Sequence, residues 1–442
     1  MGVGRTNVCV YGGSSGGTSG GSTVDLPTSL KTLTATKGDS KIRLDWTYTN
    51  TTDLSGIQFV YKTGSYPTSP TDGSSKLVTG TTSTNTEITG LTNDTAYYIR
   101  AYPYREVNGT KYYQTHSTGS MVTATPRRII GSEETEISGS KFVTIPKCTW
   151  AELGIGTSTE TFPAFIVNGK EIGEISFGKY EASVTSGKAV SKKGVAPQVS
   201  VTFDDAINYC KQAGTGWHLA TRLEWMLIAL WCANNNITPE GNISGSTVQN
   251  TGSGSNTYSH NGKADGIWDM CGNVWEWNGG FRLVQGELQV ISKSGTFGND
   301  AADSSLSQTA DSSYWWAIDG TTGALIKPNG SGTTANSLKI SSSGWTTGTA
   351  SNYSGTIYSI ACNSSICEKA KNILIALGML KPATLKSDPG DYLWLYKSTE
   401  YLGYAGGSCG NGAEAGVFAF GCNGDRSHSN AGVGFRPAFV RL

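Results

Sequence analysis

The string DGIWDMCGNVWEW, residues 265–277, constrains the fold more than any other segment of this chain. It interleaves three tryptophans with Gly272 and Asn273, so neither the period of an amphipathic helix nor the alternation of a strand continues through it. Large rings at this spacing fill a core around a tight turn at a glycine. We therefore predict four core tryptophans, namely Trp225, Trp268, Trp275 and Trp277.

Residues 26–125 show a different pattern, in which short alternating runs such as KIRLDWTYT are separated by turn residues. Six or seven strands in about 100 residues predict a β-sandwich. LTNDTAYYIRA, residues 91–101, resembles the LxPxTxYxVxA segment of fibronectin type III domains, with Asn93 in place of the usual proline. The resemblance makes Tyr97 the corner tyrosine and Trp46 the core tryptophan of an all-β fibronectin type III sandwich over residues 25–127, used for spacing or docking.

The segments around this sandwich are assigned from composition and periodicity. Residues 1–24 predict a Gly/Ser-rich stub and linker, with a cloning remnant as the alternative. Helices are predicted over residues 200–213, where Thr202 is the candidate N-cap, over 221–234 and over 365–380. Residues 283–361 are rich in Ser, Thr, Gly and Asn, which predicts a solvated or subunit-packing insertion with its own hydrophobic anchor at Tyr314-Trp315-Trp316.

Five ordered motifs resemble the formylglycine-generating enzyme family, whose domain has a C-type-lectin-like fold. The string at 265–277 resembles that family's DMxGNVWEW signature. The other motifs are ISFGKYE at 175–181, PQVSVTFDDA at 197–206, WHLATRLEW at 217–225, and the pair GGS at 406–408 and GFRPA at 434–438. The resemblance implies an α+β C-type-lectin-like domain over residues 128–442, with an insertion at about 283–361.

The catalytic site of that family does not carry over. Its oxidases bind copper through two cysteines that follow an RGGS element, because Cu(I) requires soft thiolate ligands. Aligned on the GGS element, those two positions fall on Asn411 and Gly416, while Cys409 and Cys422 stand at other spacings. Four scattered histidines do not supply the His-rich domain of related iron-dependent synthases. We expect the chain not to be an enzyme; an active oxidase on cysteine or sulfur substrates remains a third hypothesis.

Residues 404–432 alternate a frame with small, unrelated side chains. AGVF at 415–418, RSHS at 426–429 and GFRP at 434–437 resemble the frame of variable proteins diversified by retroelements, of the phage tropism determinant type. The resemblance implies a variable ligand-binding region at about 401–432. In that family mutated adenines turn Asn codons into NNY codons, which cannot encode Lys, Glu, Gln, Met or Trp. Glu414 would break this rule, so it is fixed or comes from another codon.

The variable positions are the candidate ligand-binding residues, because a rigid scaffold can hold loops whose side chains change without entering the core. None of the five excluded residue types occurs among them. Polar or aromatic contacts are expected from Tyr404, Asn411, Asp425 and His428. The full set is Tyr404, Ser408, Cys409, Gly410, Asn411, Ala419, Gly421, Cys422, Asn423, Gly424, Asp425, His428, Asn430, Ala431 and Gly432.

Composition and cysteine usage narrow the class of protein. With 34 Lys+Arg against 34 Asp+Glu, the chain lacks the basic excess of nucleic-acid binders. Nine cysteines occur without a CxxC motif, so reduced thiols are expected, and free thiols are favoured over a Cys409–Cys422 pair. No run approaches the roughly 18 apolar residues of a membrane span. The first residues lack the pattern of a signal peptide.

The motif tryptophans are accompanied by two oxygen-bearing side chains. Asn273 and Glu276 could hold a structural Ca2+, since hard oxygen ligands suit that ion. Buried hydrogen bonding is the alternative for both residues. No other metal, cofactor or catalytic residue is expected.

Together these patterns predict a receptor-binding protein at a phage tail-fibre tip, which binds a protein or glycan receptor on the host cell surface. We expect other tail or virion proteins to contact the N-terminal region, and the resemblance implies a homo-oligomer, with a trimer favoured. No nucleic-acid partner and no membrane insertion are expected. The predicted location is the virion, after synthesis in the host cytoplasm without a signal peptide. The alternative is a cellular retroelement-diversified adhesion or sensing protein.

Overall fold

The computed structural model describes residues 24–115, 120–127, 130, 134–383, 385 and 389–442. The chain divides into two compact units, Met1–Arg128 and Ile129–Leu442. The predicted N-terminal stub lies outside the described residues except for Val24, and so do Cys9 and His116. No helix in the described part of the chain is long and apolar enough to cross a membrane.

The described residues of the first unit form two antiparallel sheets. One sheet has the order β1-β2-β5, and the other has the order β4-β3-β6-β7 with β8 paired to β6. The strands are β1 (Leu30–Gly38), β2 (Lys41–Tyr48), β3 (Gly56–Thr63), β4 (Ser74–Thr79), β5 (Asn85–Thr89), β6 (Tyr97–Val107), β7 (Thr110–Tyr113) and β8 (Met121–Ala124).

Alternation along β2 builds the core of the first unit. Its side chains Ile42, Leu44 and Trp46 are buried, while the residues between them are more exposed. The Trp46 ring packs against Phe59 of β3 with 4.9 Å between centroids, which joins strands of the two sheets. At the start of β6, the Tyr97 hydroxyl accepts a hydrogen bond of 3.1 Å from the backbone N–H of Thr92. This bond ties the strand to the turn that precedes it.

The second unit is an α+β structure with many short strands and three α-helices among its described residues. The helices are α1 (Phe203–Ala213), α2 (Arg222–Asn234) and α3 (Glu368–Ala376). The strands are β9 (Glu134–Ile137), β10 (Ser140–Pro146), β11 (Ile166–Val167), β12 (Lys170–Glu171), β13 (Glu174–Gly178), β14 (Ala182–Thr185), β15 (Lys188–Ser191), β16 (Trp217–Leu219), β17 (Trp275–Val284), β18 (Glu287–Ile291), β19 (Trp315–Ile318), β20 (Leu325–Ile326), β21 (Lys339–Ser341), β22 (Gly344–Thr346), β23 (Tyr353–Thr356), β24 (Ala361–Cys362), β25 (Tyr392–Leu395), β26 (Tyr401–Gly406), β27 (Gly416–Gly424), β28 (Val433–Phe435) and β29 (Pro437–Phe439).

Two sheets carry most of these strands. The smaller has the order β16-β29-β13-β10-β9, and the larger runs β23-β25-β27-β26-β17-β18-β21-β22-β24 with three further strands attached. Strand β28, close to the C-terminal end of the chain, pairs in parallel with β17, the central strand of the larger sheet. A β-rich unit with few helices fits the C-type-lectin-like fold that the sequence predicts.

Helices α1 and α2 begin where the sequence predicts. Thr202 and Thr221 are their N-caps, and each forms a capping box with the residue three positions later, Asp205 and Glu224. Helix α2 is buried along nearly its whole length, from Arg222 to Cys232. It therefore lies inside the unit rather than on its surface.

Helix α3 is shorter than the predicted range of 365–380. It begins after Cys367 and ends at Ala376, because Gly378 adopts a left-handed φ of +62°. The N–H of the next residue, Met379, then bonds back to the carbonyl of Leu374 at 2.8 Å. This glycine closes the helix in the manner of a C-terminal cap.

The predicted insertion at 283–361 is built into the larger sheet, which corrects the prediction of a solvated or subunit-packing excursion. Strands β18 to β23 lie inside it, and all of them belong to the larger sheet. The chain enters through a tight hairpin at Gln285 and Gly286, with φ values of 50° and 83°. The predicted anchor is present, since Trp315 packs in a buried cluster with Ile291, Ala301 and Leu306.

Three of the four predicted core tryptophans are buried in the second unit. Trp225, Trp268 and Trp277 are buried, with exposed fractions of 1% or less. Trp275 is only half-buried, because it begins β17 and its ring faces other aromatic side chains near the surface. The prediction that Trp275 is a core residue is therefore wrong.

Candidate functional site

Four neighbouring strands of the larger sheet form the floor of the site. Trp394 of β25 lies opposite Gly421 of β27, Gly421 lies opposite Tyr404 of β26, and Tyr404 lies opposite Trp277 of β17. Paired residues in adjacent strands point to the same face of a sheet. These four positions therefore run in one row across the sheet.

Aromatic rings cluster along this row. Tyr404 lies 5.1 Å from both Trp275 and Trp277, and it stacks on His428 at 5.9 Å with an interplanar angle of 27°. Trp275 in turn contacts Trp394 at 5.7 Å, as ring centroids. Tyr392 extends the cluster, at 4.7 Å from Trp394. We call Trp275, Tyr392, Trp394, Tyr404 and His428 the aromatic patch.

Two glycines make room for Tyr404 within the patch. A Cβ atom at Gly421 would lie 2.4 Å from the Tyr404 ring, and one at Gly424 would lie 2.9 Å from it. The ring therefore covers β27, and its hydroxyl donates a 2.6 Å hydrogen bond to Oδ1 of Asn423. Tyr404 is only 7% exposed, and this burial raises the pKa of its hydroxyl. Tyr404 forms the floor of the surface instead of projecting from it.

Two loops flank the patch, residues 407–415 (the first loop) and residues 425–432 (the second loop). The two loops approach each other at Gly432 and Ser408, since a Cβ atom added to Gly432 would lie 3.8 Å from the Cβ atom of Ser408. In the first loop, Oδ1 of Asn411 accepts hydrogen bonds from the backbone N–H and the hydroxyl of Ser408, at 2.9 and 2.7 Å. In the second, Oδ1 of Asn430 accepts one from the N–H of Gly432 at 2.8 Å. Both loops are therefore held by their own short side chains.

An ion-pair network joins the second loop to neighbouring elements. Arg426 donates to both carboxylate oxygens of Glu400, at 3.0 and 2.9 Å, and to Asp204 at 2.7 Å. Arg282 also contacts Glu400, at 2.8 Å. Burial alone would raise the pKa of Glu400, but the hydrogen bonds and charges of the two arginines outweigh it and lower that pKa. Arg426 is thus a structural residue between positions that the sequence predicts to vary.

The predicted binding residues fall into three groups by exposure. The exposed ones are Gly410, Asp425, Asn430 and Ala431. The half-exposed ones are Ser408, Cys409, Asn411, Asn423, His428 and Gly432. The buried ones are Tyr404, Ala419, Gly421, Cys422 and Gly424.

Burial changes what the third group can do. Ala419 and Cys422 have no exposed surface, and Cys422 packs in the main core on the side of β27 opposite Gly421. Their side chains therefore cannot touch a ligand in this conformation, in contrast to the sequence interpretation. Gly421 and Gly424 act through the space that they leave for Tyr404.

Two patch residues and a neighbour were missed by the sequence interpretation. Tyr392, Trp394 and Tyr396 are half-exposed, while Leu393 and Leu395 between them are fully buried. The signal was the strict alternation in YLWLY, residues 392–396, which is typical of a strand with one buried face. Residues 392–396 precede the predicted variable region in a stretch to which the sequence analysis assigns no element, so the sequence did not connect them to that region.

Cys409 and Cys422 do not form a disulfide with each other. Cys409 is a half-exposed free thiol in the first loop, whereas Cys422 is a free thiol in the core. Burial raises the pKa of Cys422, so this thiol stays protonated. Asn411 and Gly416 align with the two copper-ligand positions. The Asn411 amide oxygen already accepts a hydrogen bond from Ser408, and Gly416 has no side chain, so neither position offers a thiolate.

The two calcium candidates are engaged in hydrogen bonds within the fold. Both carboxylate oxygens of Glu276 accept from Arg436, at 2.8 and 2.6 Å, and both residues are fully buried. Oδ1 of Asn273 accepts from Asn242 at 3.0 Å and from the N–H of Gln249 at 2.8 Å. The oxygens that a cation would need are therefore taken, and we propose no calcium role for them.

Comparisons with known proteins give a family match to part of the second unit. Residues 154–312 match the family of the sulfatase-modifying factor enzyme 1-like domain. Among solved structures, one titled Major Tropism Determinant U1 Variant aligns over 78% of this chain and 80% of its own, at 13% identity and a TM-score of 0.26. No curated protein sequence matches the chain. The family match ends before the two loops and most of the aromatic patch, which lie closer to the C-terminus.

Proposed function

We propose that this chain is a receptor-binding protein at a phage tail-fibre tip, and that its diversified C-terminal surface binds a ligand on the host cell. The observation that carries the proposal is the juxtaposition of the two loops beside the aromatic patch. Side chains at Ser408, Asn411, Asp425 and Asn430 are accessible, while β26 and β27 between the loops are almost entirely buried and the Arg426–Glu400 ion pair is partly buried. Changes at these positions therefore alter the surface without entering the core.

The chemistry of the surface suits recognition of a macromolecule. Tyr and Trp side chains supply large rigid contact area, and Asn and Ser supply adaptable hydrogen bonding, which is the composition of antibody binding loops. The aromatic patch provides the first kind of side chain and the two loops provide the second. The surface thus combines aromatic anchors on the strands, namely Trp275, Tyr392 and Trp394, with exchangeable side chains in the two loops, His428 among them.

The remaining parts of the proposal concern the whole particle. The two sheets of the first unit, its buried Trp46 and the Tyr97–Thr92 bond support a fibronectin type III domain that spaces the binding unit from the virion. We propose that virion proteins contact this N-terminal region. A homotrimer would turn weak single-site binding into avidity.

The test is binding of the labelled full chain to a panel of intact bacterial cells, including the phage host. We expect the combined change Asn411→Ala, Asp425→Ala, His428→Ala and Asn430→Ala to abolish binding to the host while the melting temperature stays within a few degrees of the parent.

The matched control changes four exposed residues elsewhere in the second unit, Lys170, Glu174, Thr185 and Lys188, to alanine. This variant should bind like the parent. Undiminished binding by the loop variant would refute the proposal, and loss of folding in the loop variant would show that these residues belong to the frame.

A further inference from the structure

Gly421 and Gly424 of β27 adopt backbone angles that other residues can also adopt. Neither has a φ in the left-handed region, where glycine is favoured. The three atoms nearest to an added Cβ at Gly421 all belong to side chains, namely the Tyr404 ring at 2.4 Å and Oδ1 of Asn423 at 2.9 Å. At Gly424 the nearest atom also belongs to the Tyr404 ring, at 2.9 Å. What the two glycines provide is therefore space for that ring.

Two tryptophans and one histidine surround the Tyr404 ring. Trp275 and Trp277 each lie 5.1 Å from it, and the buried Trp277 is fixed by a 3.0 Å hydrogen bond from its indole N–H to the carbonyl of Val201. His428 stacks on the ring at 5.9 Å and is itself a half-exposed residue of the second loop. A tyrosine in a strand has more than one staggered χ1 rotamer. A ring that has to leave β27 therefore turns toward solvent and displaces His428.

Gly403 of β26 is a comparable glycine whose neighbours cannot leave. Its φ also lies outside the left-handed region. An added Cβ there would lie 2.2 Å from the ring of Phe281 and 2.3 Å from that of Phe420, and both rings are fully buried in the main core. The overlap at Gly403 and Gly421 is thus similar in size, but only the ring above Gly421 borders a half-exposed loop residue.

We propose that the residue at position 421 determines ligand specificity indirectly, by deciding whether Tyr404 forms the floor of the surface or projects from it. With glycine, the ring lies over β27 and its hydroxyl is held by Asn423 at 2.6 Å. With any other residue, the ring gives up this bond and projects beside the second loop. Gly421 and Gly424 are among the positions that the sequence predicts to vary. The effect on ligand choice rests on the proposed function, whereas the movement of the ring does not.

The first test is hydroxyl-radical footprinting of the full chain, in which the labelling rate of each side chain follows its exposure and is mapped by mass spectrometry. Tyr404 is 7% exposed in the parent, so its labelling should be slow. We expect Gly421→Ala to raise the labelling rate of Tyr404 at least about fivefold. Gly410→Ala is the matched control and should leave the rate unchanged, because no atom lies within 4 Å of an added Cβ there. Parental protection of Tyr404 in Gly421→Ala would overturn the proposal.

A double-mutant cycle identifies the group that an added side chain displaces. We expect Gly421→Ala to lower the melting temperature of the second unit by about 3–8 °C in the parent, and to have no effect in the Tyr404→Ala background, where the ring is absent. Gly403→Ala should lower it in both backgrounds, because its overlap is with Phe281 and Phe420. An equal loss from Gly421→Ala with and without the Tyr404 ring would overturn the proposal.

Binding to host cells tests the consequence for the ligand. We expect Gly421→Ala to raise the apparent Kd at least about tenfold, because the projecting ring occupies space that the ligand of the parent fills. Parental affinity in a variant whose Tyr404 is exposed would overturn the role in specificity. A parent chain that binds no cell would instead refute the proposed function, and footprinting would still decide whether the ring moves.

Discussion

Gly272 shows how one missing side chain allows the tryptophan-rich string to fold. Its φ is +75°, and an added Cβ would lie 2.3 Å from the carbonyl oxygen of Asn242. We predict that Gly272→Ala destabilises the second unit by about 2–4 kcal/mol, because backbone would have to move. Chemical denaturation followed by tryptophan fluorescence measures this change.

The control for Gly272 is Gly262, which has a similar φ of +69° but no atom within 4 Å of an added Cβ. Gly262→Ala should cost only about 1 kcal/mol, the cost of the backbone angle alone. Equal effects of the two substitutions would contradict the steric argument.

Trp394 is the patch residue whose removal should affect binding most. It is half-exposed and contacts both Trp275 and Tyr392. We predict that Trp394→Ala weakens cell binding at least about thirtyfold, as expected when an aromatic anchor of an interface is truncated. The apparent Kd on host cells checks this.

Trp316 is the matched control for Trp394, since it is also half-buried but belongs to the strand β19. Trp316→Ala should leave cell binding unchanged after correction for the folded fraction. Parental affinity in Trp394→Ala would show that the patch is not part of the binding surface.

At the scale of elements, the Glu400 network links Arg282 of β17 and Asp204 of α1 to Arg426 of the second loop. We predict that Glu400→Gln lowers the free energy of unfolding by about 2–4 kcal/mol at neutral pH, because Arg426 and Arg282 lose a shared, largely buried partner. Urea unfolding of both proteins measures the difference.

The same substitution has a defined pH dependence. The pKa of Glu400 is lowered in the folded state relative to about 4.3 in the unfolded chain. Its contribution is therefore fully present above that value and is lost as the pH falls through the lower folded pKa. The stability difference between the parent and Glu400→Gln should shrink below about pH 4; a difference independent of pH would contradict this assignment.

Local signals in the sequence specify some elements completely and others hardly at all. The capping residues Thr202 and Thr221 and the periodicity after them define α1 and α2. The short strands of the insertion carry too few residues for periodicity to emerge, and their pairing with the larger sheet is a long-range effect. Cys422 lies in β27, a strand in which every residue except Asn423 is buried, whereas the interpretation as a variable loop predicts exposed positions there.

At the scale of the whole molecule, the fold separates what must stay fixed from what can change. The C-terminal frame supplies Phe418 and Phe420 to the core and Arg436 to a buried ion pair. The sequence predicts a variable region next to this frame, and the structure shows which of its positions reach the surface and which lie beneath the aromatic patch.

The central proposal is that a retroelement diversifies this surface while the frame stays constant. Deep sequencing of the codons for residues 401–442 across one propagated population tests it most directly. We predict substitutions concentrated at exposed or half-exposed positions such as Ser408, Asn411, Asp425, His428 and Asn430, traceable to adenines in a template copy, with Arg426 and Arg436 unchanged. An invariant sequence, or substitutions spread equally over frame and loops, would contradict it.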